Sequence, residues 1–213
     1  MNDGVLLIGA GGHASVLLEI LIEQKINILG YVSPFSAANQ KLFMDFHWFK
    51  CDEDILQFDK STIKLVNGIG SLPGSTLRAD FYNKYKNLGY SFATLVSREA
   101  SVSTYSDLEE GVQVMRGGII QTGASVGYNS IVNTGSIIDH DCVIGSNNHI
   151  APGATISGEV TSKSNVHFGT GSSVIQSINV NENVVIGAGT TITKDVDKNT
   201  ICYPAHIFKK VID

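Results

Sequence analysis

The chain has 213 residues and a net charge of -5, from 20 acidic and 15 basic side chains. It is long enough for one large or two small domains, and its charge gives no support to nucleic acid or an anionic membrane as partner. Three widely spaced cysteines, Cys51, Cys142 and Cys202, show no metal-type pairing and read as reduced thiols of a cytosolic protein. The first residues lack a basic region, the first apolar run is cut by glycines at 9–12, and the next carries Glu19 and Glu23, so neither a signal peptide nor a membrane span is expected.

Residues 5–8 form a short apolar run that ends in Gly9-Ala10-Gly11-Gly12-His13. Residues 15–25 then carry Val16, Leu17, Ile20 and Leu21 between polar positions, which predicts strand, glycine turn and helix. Backbone N–H groups at such a turn can approach an anion at the positive end of a helix, which suits a phosphate. Gly9, Gly11 and Ala14 satisfy the dinucleotide fingerprint in form. Two features oppose a dinucleotide and predict that NAD is not bound. The second strand, 26–32, runs into Ser33-Pro34 with no ribose-binding acid, and about 95 residues cannot hold both mononucleotide halves. A half-sized site for one nucleotide remains, alongside the alternative of a tight turn with no ligand.

Residues 36–59 are irregular. Phe43, Phe46, Trp48 and Phe49 are expected to pack on the sheet, with Asp52-Glu53-Asp54 on a solvated surface. A strand at 63–66 leads into a second glycine turn, Asn67-Gly68-Ile69-Gly70-Ser71, placed by the parallel-sheet rule beside the first. A helix over 77–88, with Arg78 near its start, and a last strand over 90–96 complete an α/β Rossmann-like domain, residues 1–96.

From Val102 to Ile192, every sixth residue is apolar in fifteen of sixteen cases, where 43% hydrophobic composition leads one to expect about seven. A six-residue period matches neither a helix nor a hairpin sandwich. It is the period of a hexapeptide parallel β-helix, with about 18 residues per triangular coil. Sixteen hexads predict about five coils in an all-β C-terminal domain, residues 97–213, with glycine or asparagine absorbing unusual angles at the turns. Ser162 is the one polar residue in the inward column, and it predicts a loop or shifted turn near 159–165.

Outward positions carry function in a β-helix, because its interior is full. In Ile138-Asp139-His140-Asp141-Cys142, His140 stands between two carboxylates two residues after an inward Ile, where it can serve as a general base. His149 lies half a coil further, and His167, 18 residues on, is expected to stack over it in a mainly structural role. His140, His149 and Asp141 as zinc ligands are a weaker reading, and no metal is expected.

These features together resemble the bacterial hexapeptide acyltransferases with a small Rossmann-like first domain. They are the nucleotide-sugar N-acetyltransferases of bacillosamine and perosamine type, grouped with the sialic acid O-acetyltransferases. The marks are the two glycine turns, Asn133 seven residues before His140, the run 138–145, and His149 within 148–154. The resemblance implies a left-handed β-helix and a homotrimer with acetyl-CoA as cosubstrate in the groove between neighbouring solenoids. It implies His140 as base, Asp141 orienting its ring and Asn133 assisting. His149 and Gly158 would contact the thioester end, and Gly187, Ala188 and Gly189 the pantetheine arm. A UDP-amino-sugar would sit on Gly11, Gly12, His13, Gly68, Ile69 and Gly70, with Ser33 in place of the acidic pair seen in relatives. A second departure is Cys202-Tyr203-Pro204-Ala205-His206 where the family has Gly-x-Pro-Ala-Lys, followed by Lys209 and Lys210, so the basic contact to the CoA phosphate has moved or weakened.

The expected activity is cytoplasmic acetylation of the 4-amino group of a UDP-linked 4-amino-4,6-dideoxy sugar for surface glycans. The alternatives are O-acetylation of a sugar such as sialic acid, which the same His-Asp pair would serve, and a non-catalytic nucleotide-binding scaffold.

Overall fold

The computed structural model describes residues 4–204. Ala205, His206, Lys209 and Lys210, named above for the CoA phosphate, lie outside the described residues. Five parallel strands, β1 (Gly4–Ile8), β2 (Ile28–Val32), β3 (Trp48–Phe49), β4 (Ile63–Asn67) and β5 (Ser91–Phe92), form one sheet in the order β3-β2-β1-β4-β5. The two central strands read VLLI and IKLV because a parallel sheet is covered on both faces. Alternate residues serve the two covers. Val5, Leu7 and Val66 pack with Leu17, Leu18 and Leu21 of helix α1 (Gly12–Glu23), whereas Leu6, Ile8 and Leu65 pack with Phe81, Tyr82 and Tyr85 of helix α2 (Leu77–Asn87). Phe43 is buried in the first cluster. The acidic run belongs to a 3-10 helix, Asp52–Gln57, whose Ile55 is buried in the second.

The second half is a parallel β-helix of two-residue strands on three faces of six, five and seven strands. Each of the sixteen hexads makes one strand, with the periodic residue second. Two further strands, Leu95–Val96 and Ile201–Cys202, lie at the ends, so there are six coils and not five. Register follows the 18-residue coil, as in Ile131↔His149↔His167↔Val185. Inward residues from Val114 to Ile192 form one continuous core, which grows by stacking neighbours.

Two local expectations are corrected. First, the strand expected over 90–96 is divided. Ser91–Phe92 pairs with β4, while Leu95–Val96 pairs with Gln113–Val114 of the β-helix. The Glu110 carboxylate accepts the Phe92 N–H at 2.6 Å near this crossing.

Second, Ser162 interrupts nothing. It sits in a regular strand, Thr161–Ser162, and its hydroxyl accepts a hydrogen bond from the buried Asn148 side chain at 2.8 Å. Asn148 also donates to Lys163 O and accepts from Val166 N–H, so a satisfied internal pair replaces one apolar contact.

As expected, glycine and asparagine take the left-handed turn positions, whereas the glycines that follow inward residues are demanded by space and not by torsion. A Cβ on Gly127 would stand 2.6 Å from the Ser146 nitrogen, and one on Gly145 2.6 Å from the Lys163 carbonyl carbon. The left-handed turn positions fall elsewhere, at Gly123, Gly135, Gly153, Gly171 and Gly189, and at Asn129, Asp141, Asn147 and Glu159 among others.

The seven-strand face turns toward the first domain. Its outward residues Gln113 and Ile131 are fully buried, and Met115 and Ile131 join the cluster around α1. Arg116 reaches from the β-helix to Glu19 and Glu23 of α1 and to Glu99. The two halves therefore meet through the apolar cluster around α1. No described helix is long and apolar enough to cross a membrane.

Candidate active site

The turn at residues 139–142 joins the six-strand and five-strand faces. Asp141 occupies its left-handed position, φ 58°, with its N–H donated to Thr122 O. This torsion places the carboxylate so that Oδ2 meets His140 Nδ1 at 2.8 Å. The other oxygen, Oδ1, fills the space that a side chain on Gly123, one coil back, would occupy. One coil forward, a Cβ on Gly158 would stand 2.5 Å from both Cε1 and Nε2 of His140. Two glycines thus make room for the pair.

The bond to Asp141 raises the His140 pKa above its ordinary value, helped by the charges of Asp139, Asp141 and Glu159 and opposed by partial desolvation. Nδ1 faces the carboxylate and Nε2 has no partner among the described residues. A neutral imidazole so oriented can take a proton at Nε2.

A separate groove of about 490 Å³ opens between the first domain and the β-helix. Gly12, His13, Ile69, Gly70, Asn133 and His149 all line it. His149 lies at the back of the groove, 9% exposed. Burial is the main cause that lowers its pKa to about 3, with the neighbouring His167 adding to it, so it is neutral at pH 7. Its Nδ1 lies 3.0 Å from Ser71 O and must donate, which leaves Nε2 to accept from the Asn133 side-chain amide at 3.0 Å.

His13 is also neutral, its pKa lowered to about 4 by burial and then by the charge of Arg78. Its Nε2 donates to Gln113 Oε1 at 2.8 Å, an oxygen that also accepts from Arg78. His13 Nδ1 is therefore a hydrogen-bond acceptor, suited to a hydroxyl or amine and not to a phosphate oxygen.

The remaining expected residues divide among these places. Gly11 caps α1, and a Cβ on Gly11 or Gly12 would meet nothing within 4 Å, so the helix N-terminus is open above them. Gly68 is a packing residue, since a Cβ there would stand 2.8 Å from Ala14 Cβ. Ser33 is buried, its carbonyl accepts Trp48 Nε1 at 2.8 Å, and it does not line the groove. Gly187, Ala188 and Gly189 lie three coils along the same edge as Asn133, whereas Gly158 belongs to the edge of His140. His167 stacks edge-to-face on His149 at 4.9 Å.

Within one chain, then, Asn133 and His149 are brought together, and His140 with Asp141 stands on another edge of the prism. Sequence reasoning did not single out Gln113, Ser71 or Gly123. Gln113 alone carried a signal, as a polar residue at an outward position of the 18-residue register that includes His149. Among the described residues no group of three or more His, Cys, Asp or Glu side chains is placed to hold a metal ion.

A Rossmann-like domain joined to a parallel β-helix with an exposed His-Asp pair has the parts that acyl transfer needs: a groove for a ligand and an oriented base. Residues 4–85 match the family described as the PglD N-terminal domain. No curated protein matches the sequence. Among solved structures, PerB from Caulobacter crescentus in complex with CoA and GDP-perosamine is 28% identical, with 93% of this chain and 92% of that chain covered and a TM-score of 0.81. A variant perosamine N-acetyltransferase from Caulobacter crescentus, in complex with the same two ligands, is 26% identical with a TM-score of 0.83 and the same coverage. The acetyltransferase domain of PglB from Neisseria gonorrhoeae, 24% identical over 94% of this chain and 96% of that chain with a TM-score of 0.83, shows the shared fold. Over nearly its whole length the chain is similar to these perosamine N-acetyltransferases, and it is an acyltransferase.

Proposed function

We propose that the protein transfers the acetyl group of acetyl-CoA to the 4-amino group of a nucleotide-linked 4-amino-4,6-dideoxy sugar destined for surface glycans. Residues 1–96 would bind the nucleotide sugar and residues 97–213 would carry the acyltransferase site. The observation that carries this reading is the His140–Asp141 pair, with Nδ1 held at 2.8 Å and Nε2 unpartnered beside Gly158. The uncharged amine attacks the thioester carbonyl carbon and the C–N bond forms. His140 Nε2 removes the ammonium proton. The tetrahedral oxyanion collapses, the C–S bond breaks, and the proton passes to the departing CoA sulfur. Much of the acceleration comes from holding amine and thioester together.

The division of the site between two edges supports a homotrimer. His140, Asp141 and Gly158 of one copy would face the groove, Asn133, His149 and the 187–189 coil of its neighbour. The nucleotide is uridine diphosphate in the reading that the family resemblance implies. The GDP-perosamine bound by a related enzyme favours testing guanosine diphosphate sugars equally.

The test is CoA thiol release with UDP- and GDP-linked 4-amino-4,6-dideoxy sugars and with sialic acid, using His140→Ala as control. Release with an amino sugar that is lost in His140→Ala is expected, and release with sialic acid alone would overturn N-acetylation. Mixing His140→Ala with His149→Ala protomers should restore part of the activity in mixed assemblies. No restoration would overturn the shared site.

A further inference from the structure

The turn that carries Gly70 is held from behind by a cation without a counter-charge. Arg78, 5% exposed, donates from Nη1 to Asn67 O at 2.8 Å and to Ile69 O at 2.7 Å, from Nη2 to Gln113 Oε1 at 3.0 Å, and from Nε to Asn129 O at 3.1 Å. All four acceptors are neutral, and among the described residues no carboxylate forms an ion pair with it. Burial lowers its pKa to about 9, so it is still charged at neutral pH. Burying an unpaired guanidinium is costly, and joining neutral carbonyls does not require a full charge.

The consequence for the groove follows from peptide geometry. In a planar trans peptide C=O and N–H point to opposite sides. Drawing Ile69 O onto the guanidinium therefore turns the Gly70 N–H away from Arg78. Gly70 lines the groove, its N–H has no hydrogen-bond partner among the described residues, and a Cβ on it would meet only His13 Cβ, at 3.6 Å. The same guanidinium fixes Gln113 Oε1, which in turn sets the tautomer of His13. One buried charge thus orients both a donor and an acceptor toward the same space.

We propose that Arg78 is the positioning residue and buried counter-charge for the diphosphate of a nucleoside diphosphate bound in this groove. The proposal rests on the nucleotide-sugar reading above. The diphosphate takes the Gly70 amide, strengthened by the charge behind it, while His13 Nδ1 accepts from an uncharged hydroxyl or amine of the same ligand. A residue that only clamps the two domains together would change stability and affect all ligands alike. A counter-charge acts on the anionic ligand.

Calorimetric titration of the full-length protein with UDP and with GDP, for wild type, Arg78→Gln and Arg78→Lys, separates these roles. Loss of a charged hydrogen-bonding group predicts about 10- to 100-fold weaker binding of the nucleoside diphosphate in Arg78→Gln, partial recovery in Arg78→Lys and unchanged acetyl-CoA affinity. Should Arg78→Gln fail to fold, amide and guanidinium resonances of the wild type provide the measurement. Gly70 N–H and Arg78 Nε should move with UDP or GDP, and stay still with uridine or guanosine. Equal affinity in a folded Arg78→Gln, or immobile Gly70 and Arg78 signals in UDP- or GDP-saturated protein, would overturn the role of Arg78 and leave acetyl transfer standing. A wild type that binds neither nucleotide would overturn both.

Discussion

The imidazole of His140 occupies the space that a side chain on Gly158 would need, with Cε1 and Nε2 each 2.5 Å from a Cβ built there. The two residues are 18 apart, one coil of the solenoid. Gly158→Ala should displace the ring and take Nε2 out of line. Loss of a positioned base lowers kcat by about 10²- to 10⁴-fold. The melting temperature should move little, because His140 is half-exposed and can swing outward. Thiol-release kinetics beside a thermal melt check this, and a fully active Gly158→Ala would remove His140 from the mechanism.

The raised pKa of His140 has a sign that can be read in a pH profile. Its largest cause is the hydrogen bond to Asp141, and the base works only when deprotonated. kcat/KM should therefore rise with pH through a midpoint above the usual histidine value. In Asp141→Asn the midpoint should shift to lower pH while the plateau falls, because the ring loses both its charge partner and its orientation. An unmoved acid limb would mean that another group is titrating.

His149 and His13 make the folded state sensitive to acid. Their folded pKa values, about 3 and about 4, lie below the ordinary histidine value of 6.5. Below pH 6.5 the unfolded chain binds protons that the folded chain does not. The stability is thus fully present above 6.5 and is lost as pH falls toward these lower values. Each histidine contributes a slope of about 1.4 kcal/mol per pH unit across that window. Denaturant midpoints between pH 7 and 5 should show it, with a shallower slope in His149→Gln.

The polar pair inside the β-helix should be more than a tolerated defect. Ser162→Ala removes the 2.8 Å acceptor of Asn148 and leaves it only Lys163 O as acceptor. The expected cost is about 1 to 3 kcal/mol, seen as a lower urea midpoint with unchanged activity at 25 °C. No change in the midpoint would show that water takes the place of the hydroxyl.

Short-range regularities were legible in the sequence because they depend on the chain alone. A six-residue apolar period can bury its residues only by coiling, so the β-helix, the inward column and the stacking of His167 on His149 followed from spacing. The glycine turns and the placement of His140 between carboxylates were legible for the same reason. Tertiary structure decided what depends on which surfaces meet. The 7- and 16-residue separations from Asn133 to His140 and His149 do not reveal that Asn133 bonds to the distant histidine, because the nearer one turns onto another edge of the prism. Nor does a helix-start arginine at position 78 reveal that it will lie unpaired in the seam between two domains. Its environment exists only once the Asn67–Gly70 turn and the face bearing Gln113 have been brought together from opposite halves of the chain.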